Sequence, residues 1–507
     1  MNNNFNKSVK NMTVSITCQV VSLLLSFISR SIFIHFLSNE YLGVSGLFSN
    51  ILTLLSFTEL GIGNVMVYSL YEPLKKNDQS KIKALLELYK KAYRIIALTI
   101  MIIGMLINPF ILHLISGVPE ISENIHFLFF LYLLNTVVSY LCTYKKSILS
   151  ADQKMYVINV ITSVLHIVMM IVQSLFLYLT KSFILYLIWQ IVFTFLTNIV
   201  LSLIVNKQYK HILQVKSRPL DKKETTRIFS DVRALAISKV SGIVSTGTDN
   251  IIISKMFGLT PVGLVSNYIM LINSVNSIIY GALTSMISSI GNFNVDSEIE
   301  QKRKIFDELF FSVYIIYSFI CVCIVVLAQP FIEVWIGKKY LLSYAVLINL
   351  VLGIYVGGIN YPVYSFRTTM GYFKEVKYVY VACAVTNVFL SIILGHYLGI
   401  VGVFMATWIS KLVLTEVADC YYSYKIILKR SCISYFLKYS TYFGIAALNA
   451  CICLKVVSLI SIPGIFGIFI KGIGCAVTNI VINIVIFNQR WEFKSMYNRV
   501  KGMLRRR

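Results

Sequence analysis

Residues 95–116, IIALTIMIIGMLINPFILHLIS, run without a charged side chain directly after the basic stretch Lys90-Lys91-Ala92-Tyr93-Arg94. A hydrocarbon core of about 30 Å is crossed by roughly 20 helical residues at 1.5 Å each, so this stretch reads as one transmembrane helix starting at the cytoplasmic surface. Working outward, stretches of the same kind recur along the whole chain: Asn11–Leu37, Tyr41–Tyr71, Ile125–Tyr144, Tyr156–Leu179, Phe183–Val205, Ala234–Phe257, Val262–Gly291, Leu309–Ala328, Leu341–Phe366, Val379–Leu398, Val401–Tyr424, Tyr439–Leu459 and Gly464–Phe487. The expected fold is an all-α integral membrane protein with about 14 transmembrane helices, because lipid leaves no water to satisfy open backbone groups.

Most of the 46 Lys and Arg residues fall in the N-terminus, in every second loop and in the C-terminus; Lys181, Lys338 and Lys339 lie in the opposite loops. Basic residues deposit on the cytoplasmic side of short loops, so both termini are expected in the cytoplasm of a multi-pass membrane protein. The net charge of +24 is spread over many short segments. It therefore speaks for topology and for anionic membrane lipids as partners, and against nucleic acid. The first apolar run continues past signal-peptide length without a small-residue cleavage site, so it is expected to remain as helix one.

Enzyme signatures are missing. There is no phosphate loop, no Gly-x-Ser-x-Gly elbow and no His-Glu-x-x-His, so neither catalytic residues nor a metal or organic cofactor is expected. The six His residues are scattered, and His166 reads as a packing residue. The ten Cys residues lie almost wholly in apolar spans. They read as packing residues, with Cys321/Cys323 and Cys451/Cys453 spaced to different helix faces.

The longest hydrophilic stretch, Asn206–Arg233, is basic and divides the chain into similar halves. Tyr41-Leu-Gly-Val-Ser-Gly can be laid over Pro261-Val-Gly-Leu-Val-Ser, each after a helix that begins at the cytoplasm. The expected organisation is an N-terminal six-helix bundle (1–205), a basic cytoplasmic linker (206–233), a parallel-repeat C-terminal six-helix bundle (234–425), and helices 13 and 14 with a basic tail (426–507).

External loops are short, so any chemistry must happen in or between helices. A charge inside a span costs about 2.5–3.5 kcal/mol on insertion scales and asks for a reason. By helical rise, Arg30 lies about 10 Å from the outer end of helix one, and Asp249 with Asn250 about 12 Å from the outer end of helix seven. The repeat alignment sets Arg30 opposite Asn250. Arg30 is therefore a candidate anion-binding group of a cavity, held by or exchanging with Asp249; a structural ion pair and a snorkelling arginine are the alternatives. Lys239, near the inner end of helix seven, could guide an anionic head group inward, with a snorkelling lysine as the alternative.

Glu59, beside Gly61 and Gly63, is a candidate inner gate or a capping carboxylate. Lys411 is a further gating or coupling candidate; with Glu416 and Asp419 it also reads as a local charge network that stabilises the bundle. Gly357, Gly358 and Pro362 mark helix ten as the candidate bending element, with a packing kink as the alternative.

Several phrases together carry a resemblance: Phe27-Ile-Ser-Arg30 with Tyr41-Leu-Gly43, Glu59-Leu-Gly-Ile-Gly63, Tyr68-Ser-Leu-Tyr-Glu-Pro73, Lys145-Lys-Ser-Ile-Leu-Ser-Ala-Asp-Gln-Lys154, Trp335-Ile-Gly337 and Gly399-Ile-Val-Gly-Val403. Over essentially its full length the chain resembles the Wzx-type polysaccharide and O-antigen flippases of the multidrug/oligosaccharidyl-lipid/polysaccharide (MOP) exporter superfamily. The resemblance implies a V-shaped pair of bundles around a cationic cavity in a bacterial plasma membrane. It implies alternating access that moves an undecaprenyl-diphosphate-linked oligosaccharide to the external leaflet for capsule, O-antigen or exopolysaccharide synthesis. Arg30 is the position that best fits the family's diphosphate-binding cations, with Lys239 and Lys255 as weaker substrate-binding candidates. The resemblance further implies other polysaccharide-assembly proteins as partners and a coupling ion, H+ or Na+, that the sequence does not identify. An inside-negative potential favours this direction, by about 4–5 kcal/mol per 100 mV for two uncompensated charges. Competing readings are a cation-coupled multidrug exporter of the same superfamily and, from another class, a membrane polysaccharide polymerase or glycosyltransferase, for which the external loops are too short.

Overall fold

The computed structural model describes residues 2–59, 62–117, 119–152, 154–230, 232, 244, 247–284, 298–372, 375–496 and 498. Among the described residues every regular element is helical, and the chain divides into two compact units, Met1–Gly263 and Leu264–Arg507.

The first unit holds α1 (Asn2–Phe36), α2 (Asn39–Leu55), α3 (Ile62–Lys75), α4 (Gln79–Ile107), α5 (Ile125–Tyr140), α6 (Thr143–Ala151), α7 (Met155–Thr180), α8 (Phe183–Gln208), the turn α9 (Lys210–Leu213) and α10 (Asp249–Phe257). The helix α11 (Leu259–Thr284) leads into the second unit. There follow α12 (Ile299–Ile336), α13 (Tyr344–Ile359), α14 (Tyr361–Thr369), α15 (Lys377–Leu398), α16 (Ile400–Ser410), α17 (Val417–Cys420), α18 (Cys432–Ser458) and α19 (Gly464–Phe487).

Ten of the described helices are long and apolar enough to cross a membrane, or 11 if the bent pair α5 and α6 is one span. Of the other three expected spans, helix one is the continuous helix α1, Asn2–Phe36, with an apolar part over Val20–Phe36. Helix two is broken by the tight turn Ser56–Glu59. Helix seven lies partly outside the described residues, and its described part, α10, sits in the first unit against α2.

Residues 95–107 of the quoted stretch form the second half of α4 and Asn108–Leu114 continue as a 3₁₀ helix, but α4 begins earlier, where the Asp78 carboxylate accepts the Lys81 N–H at 3.0 Å as an N-cap. Ile82, Leu85, Leu86, Tyr89 and Tyr93 are buried at helical spacing, so the first turns pack as an amphipathic stripe before the apolar part starts. Asn124, Ser182 and Ser343 cap α5, α8 and α13 in the same way.

In the second unit, 67% of the apolar window of α12 is buried against 17% for α19. The first is therefore a central helix and the second presents most of its surface outward, with Phe466, Phe469 and Ile473 exposed as lipid-facing side chains are. Phe310, Phe311 and Tyr314 of α12 pack with Tyr435 and Tyr442 of α18, and the rings of Tyr314 and Tyr442 stack at 4.2 Å. A buried cluster of Val322, Val326, Cys453, Val457 and Cys475 ties α18 and α19 to α12. The described cysteines are free thiols.

Candidate functional site

Arg30 is half-buried on α1 of the first unit. Within one turn, Phe33 meets the rings of Phe183 and Tyr186 at 5.7 and 5.3 Å, which fixes α1 on α8. The hydroxyls of Tyr132 on α5 and Tyr186 on α8 act on the guanidinium electrostatically. Tyr132 in turn donates to Ser45 Oγ of α2 at 2.7 Å, and Ser29 bonds to Tyr186. Two helices, α5 and α8, thus bring hydroxyls into electrostatic reach of one permanently charged cation, and Ser45 of α2 and Ser29 of α1 hold those hydroxyls. A guanidinium presents five N–H donors in a planar fork, the geometry that matches phosphate oxygens.

Asp249 and Asn250 are buried on α10, at 8% and 9% exposure. The Asn250 amide lies 3.5 Å from the position a Cβ on Gly46 of α2 would take, so this pair is seated on α2. Lys255 is exposed in the last turn of α10. Lys239 lies outside the described residues. Glu59, half-buried in the turn after α2, acts on the hydroxyls of Tyr93 and Tyr140 and so is placed between α4 and α5.

At the start of α2 three segments meet. Asn39 Nδ2 donates to the Thr260 carbonyl at 2.8 Å, the Thr260 hydroxyl to Glu40 at 3.3 Å, and the Glu120 N–H to Glu40 at 2.6 Å. A Cβ on Gly43 would strike the Leu259 carbonyl, and one on Gly263 the Asn39 carbonyl. The two glycines permit this backbone approach.

In the second unit the span Tyr344–Thr369 is continuous in length but interrupted at Asn360, with Pro362 in the first turn of α14, where its missing N–H is tolerated. Gly357 faces open space, whereas Gly358 is packed against the Tyr317 ring with no room for a Cβ. Lys411 is half-buried and opens a π-helical segment, Lys411–Glu416; a second one covers Tyr421–Ile427.

The charge network beside it has a cation that sequence reasoning did not single out. Arg367 Nε donates to Asp419 Oδ1 at 2.7 Å, with side-chain exposures of 3% and 0%. Its other nitrogens donate to the Tyr372 carbonyl at 2.5 Å and the Tyr380 hydroxyl at 3.2 Å. Tyr380 donates to Asp419 Oδ2 at 2.8 Å, closing the ring. Glu416 is buried one turn away and is held by Asn360 Nδ2 at 2.7 Å and by the Tyr435 hydroxyl. Arg367 follows directly on an apolar span, so its charge reads as a boundary marker until the fold brings Asp419 to it.

Comparison with known proteins adds the following. A family model described as "Polysaccharide biosynthesis protein" matches residues 8–290, more than half of the chain. No curated protein matches the sequence. Among solved structures, a lipid II flippase MurJ in an inward closed conformation is similar with a TM-score of 0.68 and 16% identity, covering 95% of this chain and 99% of that one. An inward-facing multidrug resistance MATE family transporter of the MOP superfamily follows with a TM-score of 0.63, 15% identity and coverage of 80% and 96%. The MATE transporter VcmN of Vibrio cholerae in its bent form gives 0.54, 16%, 85% and 98%. These likenesses are of fold.

Proposed function

Because the chain belongs to the polysaccharide biosynthesis protein family, we propose that it is a flippase, moving an undecaprenyl-diphosphate-linked oligosaccharide from the cytoplasmic to the external leaflet of a bacterial plasma membrane. It acts by alternating access, without chemical catalysis, with both termini in the cytoplasm. The division into two six-helix bundles joined by the basic 206–233 segment, with helices 13 and 14 appended, is part of this reading.

The observation that carries it is Arg30: a guanidinium on the apolar helix α1, with the hydroxyls of Tyr132 and Tyr186 in electrostatic reach. A permanent cation in such a setting is costly to keep and suits an anionic headgroup that is bound and released. Asp249 and Asn250 assist it as polar groups of the same unit, with Lys239 and Lys255 as secondary contacts. Glu59, Lys411 and the Gly357–Pro362 segment serve gating. A protein of similar fold is named as a flippase of lipid II, which supports a lipid-linked cargo. The fold is also that of MATE family transporters, so export of lipophilic cations is the second reading.

Disruption of the gene tests the assignment. Lipid-linked oligosaccharide should accumulate on the cytoplasmic leaflet. Accumulation of unpolymerised repeat units outside the membrane would point to a polymerase instead, and lost efflux of lipophilic cations with normal polysaccharide would favour the second reading.

A further inference from the structure

A cavity of about 290 Å³ in the first unit, which does not include Arg30, lies between the later turns of α3, the start of α4 and the helical residues 222–230 of the basic segment. Its lining holds Tyr68, Tyr71 and Glu72 from α3, Lys81 from α4, and Glu224 and Arg227 from the basic segment. The walls are tied to each other. Lys81 Nζ donates to Glu224 at 2.6 Å, Glu87 of α4 hydrogen-bonds with Ser217, and Ile228 is buried in the first unit's core. Over these residues the basic segment is thus a wall of the first unit. On the opposite wall Tyr68 and Tyr71 stand three residues apart, hence on one face of α3, with their rings edge to face at 6.3 Å. Both rings are free to receive a ligand, at 70% and 50% exposure. Glu72 pairs with Lys76 at 2.5 Å and lies in electrostatic reach of Lys81 and Arg227.

We propose that this cavity binds a sugar residue of the transported oligosaccharide, Tyr68 and Tyr71 taking its C–H face and Glu72, Glu224 and Arg227 its hydroxyls. The lining selects among ligand classes. A lone phosphate meets two carboxylates along with the two cations, and an alkyl chain strips water from four charged groups. A sugar ring carries an apolar face that suits an aromatic ring, and an edge of hydroxyls that each donate and accept. Carboxylates accept from those hydroxyls, and the planar guanidinium donates through two nitrogens at once. The volume lies at the low end of small-molecule sites, about 300–1,000 Å³, so it takes a short piece of a glycan. In the topology proposed above, the end of α3 and the basic segment lie at the cytoplasmic face, where the cargo enters. Arg30 meets the diphosphate, which is the same in every cargo of this class, whereas this cavity meets the sugars, which differ. It therefore sets selectivity.

The cargo in this inference rests on the transport reading, and the test parts the two. Purified full-length protein is titrated with two probes. One is the water-soluble oligosaccharide released by mild acid from the producing cell's own lipid-linked pool; the other is undecaprenyl diphosphate without sugar. The wild type should bind both. Tyr68→Ala and, separately, Glu72→Gln should weaken binding of the free oligosaccharide by about tenfold or more and leave undecaprenyl diphosphate unchanged. Tyr68→Phe keeps the ring and should keep the wild-type affinity. Both positions are exposed, so the fold is not at stake in these variants. A wild type that binds undecaprenyl diphosphate but not the free oligosaccharide, or variants that bind the oligosaccharide as tightly as the wild type, overturn the sugar site and leave the transport reading intact. Oligosaccharide binding that Tyr68→Ala abolishes, in a chain that ignores undecaprenyl diphosphate, upholds the sugar site and overturns the transport reading. If the wild type binds neither probe, both fall.

Discussion

Replacing Arg367 by leucine, Asp419 by leucine and both together tests how the second unit tolerates charge in its interior. The Arg367→Leu chain keeps an Asp419 carboxylate at 0% exposure with the Tyr380 hydroxyl and the Asn360 amide as remaining donors, and leaves the Tyr372 carbonyl without its 2.5 Å partner. Breaking a buried pair from one side costs about 3–5 kcal/mol. The Asp419→Leu chain should fall at the upper end, because a stranded carboxylate can take up a proton and a guanidinium cannot lose one. The double variant removes both charges and forfeits chiefly hydrogen bonds to Tyr372 and Tyr380, about 1–3 kcal/mol in all. At about 2–4 °C per kcal/mol for a domain of this size class, the single variants should melt roughly 6–20 °C lower and the double variant should recover about half of that. Melting of the detergent-purified protein, followed by size-exclusion chromatography of a fluorescent fusion, reads the difference. If the loss in the double variant equals the sum of the losses in the singles, the two groups are energetically independent and the argument fails.

Three further outcomes are expected. A Gly43→Val chain should lose about 1–3 kcal/mol, because the new side chain meets the Leu259 carbonyl; a melting temperature equal to the wild type would show that the helix ends part without cost. Asp307 accepts from Arg430 at 2.8 Å and Lys438 at 3.2 Å, and Lys438 also reaches Glu492 at 3.1 Å. Asp307→Ala should therefore destabilise by about 2–4 kcal/mol, more than Lys76→Ala at the exposed Lys76–Glu72 pair, where little change is expected; equal effects would refute the ranking. Cysteines placed in the 206–233 segment should be labelled by membrane-impermeant reagents after the cytoplasmic face is opened and not in intact cells, and the reverse pattern would invert the topology.

What was legible in the sequence follows from what hydropathy measures. The uncharged run 95–116 and its basic flank mark a span, but α4 starts at Gln79 because Ile82, Leu85, Leu86 and Tyr89 form a buried stripe among lysines, and averaging along the chain dilutes such a stripe. The turn Ser56–Glu59 falls where Glu59, Gly61 and Gly63 already marked a weak point, whereas the bend between α5 and α6 precedes Lys145 and Lys146, which read only as the end of a span. At Gly357–Pro362 the interruption was readable from residue type. Its mildness was not, since it depends on Pro362 falling in the first turn of α14. Arg30 stood out as a charge inside an apolar run. Arg367 did not, for it stands where charges ordinarily end a span, and its role depends on an Asp419 brought to it from another helix. The π-helical segments at Lys411–Glu416 and Tyr421–Ile427 have no compositional signal at all.

The most direct measurement of the central claim is the rate at which reconstituted protein moves a fluorescent undecaprenyl-diphosphate-linked oligosaccharide across a vesicle membrane, compared between the wild type, Arg30→Lys and Arg30→Ala at matched insertion. The account predicts rapid movement by the wild type, partial activity with lysine, and a loss of at least about tenfold with alanine, equivalent to the roughly 1.4 kcal/mol or more that one phosphate contact supplies. Wild-type movement by the Arg30→Ala chain would contradict it.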